Sequence, residues 1–306
     1  MSKLAVVHGW SDSGSGFFYL IESLINSDQT DLDPVNINLA DYISMDDKVN
    51  FDDIAEQFNR IWQAKVQAGE LSKDPFSNDV IVHSTGALVV RYWLTKYFKP
   101  ETSPIKRFVM LAPANFGSYL ARRGQSVVGR LFKGGNKGNF TDEEKNRRKF
   151  VARYETGEYV LRGLELASPF TWELAKNDLF ADQSFYGEGK ILATVLIGNK
   201  GWSGINSFAN EDGSDGTVYM STANLDCARL RINLTSEGKH GLPQLEKING
   251  KVAYAVMNNE NHAKVFLVSL NCCSDSLGEL ITMVCPLCNS SGFSSIIDLL
   301  KRVSVL

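Results

Sequence analysis

Val80-Ile81-Val82-His83-Ser84-Thr85-Gly86-Ala87-Leu88-Val89-Val90 is the stretch on which the fold turns. The apolar, β-branched run before the corner reads as a buried strand, and the run after Gly86 reads as the start of an apolar-periodic helix. Between them stands a His-Ser-x-Gly corner. A serine at a sharp strand-to-helix turn is pushed out of the sheet into a strained, exposed position, where its Oγ can reach a carbonyl carbon. The backbone N–H of Thr85 then points at the oxygen that becomes negative. Gly86 supplies the missing Cβ that lets the turn close. The same residues also make an ordinary strand, Ser-Thr-Gly turn and helix, so other segments of the chain must decide between the two.

Outward from this corner, Leu4–His8, Val35–Leu39, Asp79–His83, Lys106–Ala112, Lys190–Gly198 and Lys251–Asn258 read as continuous apolar strands. Phe17, Leu20, Ile21, Leu24 and Ile25 share one helical face, as do Ile54, Phe58, Ile61 and Trp62 within Phe51–Ala68. Ala87–Phe98 is the helix leaving the serine. Unbroken apolar strands alternating with amphipathic helices predict an α/β fold with a parallel sheet covered on both faces. From about Phe116 to Gly189 the rhythm breaks into charge and glycine, with no convincing strand. An insertion there, on the carboxyl-end side, would form a helical cap over the serine. Leu120–Phe132 within it mixes arginines with apolar residues, as a lid helix touching lipid or substrate would, or a solvated helix packed on the core. The expected organisation is a first core part at 1–116, a cap at 117–189 and a second core part at 190–306.

The 306 residues can bury a sizeable core, and 43% hydrophobic with 22% charged residues is ordinary for a globular chain. A formal net charge of -3 argues against a general nucleic-acid binder. No apolar run is long enough for a membrane span and the start carries no signal-peptide core, so a cytoplasmic site is expected, with signal-less export left open. Of five cysteines, Cys272, Cys273, Cys285 and Cys288 lie near the C-terminus, the last two at C-x-x-C spacing. A zinc site would need Cys272 or Cys273 as well. Adjacent cysteines diverge, however, no histidine is close, and the surroundings are apolar, so reduced thiols and no metal are expected.

Three further segments favour chemistry at Ser84. Leu4–Val7 runs into His8-Gly9-Trp10, a turn that can aim the Trp10 amide at the same oxyanion as Thr85. Ser214-Asp215-Gly216-Thr217-Val218 presents an aspartate able to hold a histidine by its Nδ1–H. Val252–Met257 is followed by Asn258-Asn259-Glu260-Asn261-His262, which puts a general base beyond a strand's carboxyl end. Asp212 and His240 are the weaker rivals for the acid and base. The order Ser84, Asp215, His262 is the Ser, Asp, His chain order of one hydrolase arrangement, unlike the two common serine-protease orders.

On His8-Gly9-Trp10, His83-Ser84-Thr85-Gly86, Leu111-Ala112-Pro113-Ala114-Asn115-Phe116-Gly117-Ser118, Ser214-Asp215-Gly216-Thr217-Val218 and Asn261-His262, the chain resembles the α/β-hydrolase superfamily in its lipase and esterase branch. The resemblance spans nearly the whole chain and is thinnest over the cap. It implies a nucleophilic Ser84, a general-base His262, an orienting Asp215, an oxyanion hole from the Trp10 and Thr85 amides, and no cofactor. Two departures stand out. Val82 occupies the position of the family's usual glycine, and the chain starts at what resembles the family's third strand, so a reduced sheet of about six mostly parallel strands is expected. The expected reaction is cleavage of a carboxylic ester, with acyl transfer or phospholipid cleavage by the same triad as alternatives and a non-catalytic binding protein less favoured. Cap aromatics Phe132, Phe140, Phe170, Trp172 and Phe180 suggest a hydrophobic acyl substrate, with transient lipid-surface contact through the cap. Nothing in the sequence gives the oligomeric state.

Overall fold

A computed structural model describes residues 3–7, 34–37, 49–123, 157–232 and 242–265. Its centre is a six-stranded sheet built from β1 (Lys3–Val7), β2 (Pro34–Ile37), β3 (Asn78–His83), β4 (Ile105–Leu111), β5 (Leu192–Gly198) and β8 (Val252–Met257), in the order β2-β1-β3-β4-β5-β8. All five pairings are parallel. β3 is buried along its whole length, which is why it shows no polar alternation. Strand order reverses beside β1, so the crevice of this sheet opens at the carboxyl ends of its central strands. Those ends carry the segments singled out above. The expected strands sit within one or two residues of the observed ones wherever the chain is described.

Helix α1 (Phe51–Gln67) starts at Asn50, whose Oδ1 accepts from the Asp52 and Asp53 amides at 2.7 and 3.2 Å while the Asp53 carboxylate returns the bond to the Asn50 amide at 2.9 Å. Phe58 and Trp62 on its buried face meet Trp93 of α2 (Gly86–Tyr97) with ring centroids 5.0 and 4.9 Å apart. Helices α3 (Glu158–Leu164) and α4 (Pro169–Asp178) follow in the segment between β4 and β5. Their residues Val160, Leu161, Leu164, Leu174 and Ala175 belong to the same buried cluster as the sheet, and α4 packs on α2. The start of the expected lid helix is a short 3-10 turn, Tyr119–Arg123, with Leu120 and Ala121 buried. The remainder of that helix, the expected helix around Phe17–Ile25, and the four C-terminal cysteines lie outside the described residues.

A two-stranded antiparallel ribbon, β6 (Ala228–Arg231) with β7 (Gln244–Lys247), follows a short helix α5 (Met220–Ala223). The sequence pattern does not announce it. Leu230 and Leu245 face each other across the ribbon but are 58% and 64% exposed, while Arg229 turns inward over the Phe180 ring. The polarity of inside and outside is therefore reversed there. Among the described residues no helix is long and apolar enough to cross a membrane.

Candidate active site

Ser84 stands between β3 and α2 with φ of 53°, in the left-handed region that disfavours residues with a Cβ. The strain is held from three sides. The Ser84 amide donates to the Leu111 carbonyl at 3.0 Å, and the Ser84 carbonyl accepts from Ala87 and, at 3.4 Å, from Ala114. A non-glycine residue in this conformation costs about 1–3 kcal/mol and persists only where its surroundings over-determine it. The sequence reading expected the side chain to be exposed. It follows the end of β3 but is only 3% exposed, with the imidazole of His262 against the hydroxyl.

His262 Nε2 is 3.1 Å from Ser84 Oγ, and Nδ1 is 2.8 Å from Asp215 Oδ2. With the Nδ1 proton donated to the carboxylate, Nε2 is the nitrogen that can accept the serine proton. Asp215 is fully buried, and its second oxygen takes the amides of Thr217 and Val218 at 2.9 and 2.8 Å. Those bonds keep the carboxylate from rotating away from the imidazole. The acid loop is braced from the segment after β4. Ser118 Oγ donates to the Thr217 carbonyl at 2.5 Å, and the Tyr119 hydroxyl lies 3.2 Å from Ser214 Oγ. Asp212, the rival acid, is exposed, and His240, the rival base, lies outside the described residues.

Thr85 is 3% exposed and begins α2, so its amide stands beside the serine at the positive end of that helix. Trp10, the other expected oxyanion donor, lies outside the described residues, as do Phe132 and Phe140. Of the remaining aromatics, Phe170 stacks on Phe51 at 4.3 Å and Phe180 lies under Arg229, so both serve packing. Trp172 is 41% exposed and meets Phe116, just past β4, at 5.7 Å. Tyr254 on β8 donates to the Met220 carbonyl at 2.8 Å, and burial together with the charge of Asp215 pushes its hydroxyl up to about 12. It stays protonated through the neutral range. Cys227 is a half-buried free thiol whose pKa is raised by burial, which is not the setting of a reactive cysteine. Among the described residues no group of three or more His, Cys, Asp or Glu is placed to hold a metal ion.

Two contributors escape sequence reading. His83 reaches the main chain of His262, its Nε2 lying 3.0 Å from that carbonyl. Gly198, the last residue of β5, packs against the loop carrying His262, where a Cβ would stand 1.9 Å from the Glu260 carbonyl oxygen. That is an atom of backbone and cannot swing aside. Gly198→Ala is therefore expected to displace the 258–262 loop and lower kcat by about 10²-fold, the scale of a misplacement near 1 Å. Steady-state kinetics beside a thermal melt separates this from simple unfolding, since overpacking alone costs about 1–3 kcal/mol.

No family model matches the chain, and the search of curated proteins gives no match either. Among solved structures, phospholipase PlaB from Legionella pneumophila superposes with a TM-score of 0.71 at 25% sequence identity, covering 100% of this chain and 63% of that one. The same phospholipase in complex with thio-NAD gives a TM-score of 0.68 at 24% identity, covering 100% and 62%. The mature form of lipase BlEst2 from Bacillus licheniformis is matched at a TM-score of 0.48 and 15% identity, over 87% and 86% of the two chains. This chain spans less than two thirds of the length of the phospholipase it resembles.

Proposed function

The chain is an α/β-hydrolase by fold, and from that premise we propose that it is a serine hydrolase of carboxylic esters working through an acyl-enzyme on Ser84. The observation that carries this reading is the continuous line from Asp215 through His262 to a serine held in a left-handed turn, at 2.8 and 3.1 Å. His262 takes the Ser84 proton as Oγ attacks the carbonyl carbon, and Asp215 stabilises the imidazolium that forms. The tetrahedral oxyanion is held by the Thr85 amide and, from the sequence pattern, the Trp10 amide. On collapse, the leaving alcohol takes the proton back from His262. The base then activates water, which releases the acid and restores Ser84. No step calls for a cofactor.

Residues 117–189 are assigned as the insertion between the two core parts, with Trp172 on it and Phe116 at the end of the first core part as the apolar contact for an acyl chain. The match to PlaB over the whole of this chain favours a phospholipid or other lipid ester among possible substrates. The test is hydrolysis of esters graded from acetate to palmitate, alongside phosphatidylcholine and phosphatidylglycerol vesicles, with products resolved by chromatography. Free acid from the longer esters or the vesicles is the expected result. A new ester when an acceptor alcohol is added would redirect the reading to acyl transfer. Absence of turnover on every ester would overturn it in favour of a binding protein.

A further inference from the structure

We propose that His83 is a positioning residue for the base: its Nε2–H, donated to the main-chain carbonyl of His262, holds the imidazole in register with Ser84. This inference rests on the reading of Ser84, His262 and Asp215 as the reacting set and assigns a further residue to it.

The carbonyl oxygen can only accept, so His83 Nε2 carries the proton in this contact, whether the ring is neutral or charged. The two ends of the bond differ in rigidity. His83 is the last residue of β3, paired with Leu111 of β4 and 6% exposed, so its ring is fixed by the sheet. His262 lies five residues past the end of β8, on a loop in which Asn259 adopts a φ of 63°. A loop residue keeps its orientation only as far as its own peptide groups are tied down.

Those peptide groups are tied on both sides. The His262 amide donates to the Asp215 carbonyl at 2.9 Å, and the His262 carbonyl receives His83. The acid loop therefore fixes one end of the residue and the elbow fixes the other. Because His83 immediately precedes Ser84, nucleophile and base take their positions from the same turn of backbone. The two rings lie 4.9 Å apart at 48°, which raises the competing explanation that His83 only fills space beside the base. Substitution separates the two. Glutamine presents an N–H at nearly the reach of Nε2 but no ring; phenylalanine presents the ring but no donor.

Native protein, His83→Gln, His83→Phe and Ser84→Ala are compared by the pseudo-first-order rate constant for labelling with excess fluorophosphonate. That constant does not depend on how much of a preparation is folded. His83→Phe is expected to label about 10–100-fold more slowly, with the base left to drift by up to about an ångström. His83→Gln is expected to recover most of that loss through its amide donor. His83→Leu carries the same expectation as His83→Phe should the phenyl ring crowd the elbow. Labelling of His83→Phe at the native rate, or of His83→Gln no faster than His83→Phe, would overturn the assignment. Native-rate labelling of Ser84→Ala would instead overturn the reading of the reacting set. A silent Ser84→Ala with a fast His83→Phe removes only the role given to His83.

Discussion

Ser84→Ala is expected to lower kcat for ester hydrolysis by about 10⁴–10⁶-fold, and adding His262→Ala is expected to cost almost nothing more. The hydroxyl without the base is a poor nucleophile, and the base without the hydroxyl has nothing to activate. On the proposed mechanism the pair, 3.1 Å apart, acts as one unit whose losses do not add. What survives is the contribution of binding and oxyanion stabilisation, which neither substitution touches. Rates for the two single variants and the double variant decide the matter: multiplicative losses would mean that the two side chains serve separate steps. A companion measurement exploits the backbone. Ser84 sits at φ of 53°, which glycine adopts without the Cβ clash, so Ser84→Gly is expected to raise unfolding stability by about 1 kcal/mol while abolishing turnover. Greater stability at the expense of activity at this one residue is the signature of strain kept for function.

The parallel sheet was legible because both its faces are buried, so each strand writes itself as an unbroken apolar run; β3, with all six residues buried, is the clearest case. Ser84, Asp215 and His262 were legible for a related reason. In a sheet of this topology the loops after strands converge on one edge, so polar residues just past apolar runs are neighbours in space even when far apart in sequence. The ribbon β6–β7 was not legible, because Leu230 and Leu245 point outward while Arg229 turns inward against Glu246 and Phe180. Gly198 and His83 were hidden differently. A glycine needed for close approach looks like any glycine at a strand end, and a histidine that serves another residue's carbonyl leaves no trace in spacing. Of the aromatics in the segment between β4 and β5, Phe170 is half-buried and stacks on Phe51 beside the core, a contact that the sequence pattern does not announce.

Least legible of all is the buried ion pair on the helix that follows Ser84, and it carries the largest expected effect on stability. Arg91 and Asp178 are both fully buried. Arg91 Nε and Nη2 meet the two carboxylate oxygens at 2.7 and 3.0 Å, and Nη1 donates to the Asn115 carbonyl and side-chain oxygen at 3.0 and 3.2 Å. Tyr186 adds a hydroxyl to Asp178 at 2.9 Å, and Asn115 passes the network on to the Ala223 carbonyl at 2.7 Å. Burial works against the guanidinium charge, and the adjacent carboxylate more than offsets it, so the arginine pKa is raised. Burial and the same carboxylate hold the Tyr186 hydroxyl well above its usual value. Arg91→Met removes the cation but leaves Asp178 in an apolar interior, and is expected to lower unfolding free energy by about 3–5 kcal/mol. Arg91→Met with Asp178→Leu removes both charges and is expected to recover a substantial part of that loss. The remainder, about 1–3 kcal/mol for each polar group left without its partner, falls on Asn115 and Tyr186. Urea denaturation with an unchanged m-value would attribute these shifts to the folded state. If the double variant proved no more stable than Arg91→Met, the loss would come from Asn115 and Tyr186 left without their partners and not from an unpaired carboxylate. Part of the penalty would then lie in the bracing that Asn115 gives between α2 and α5, which leads back to the loop of Asp215.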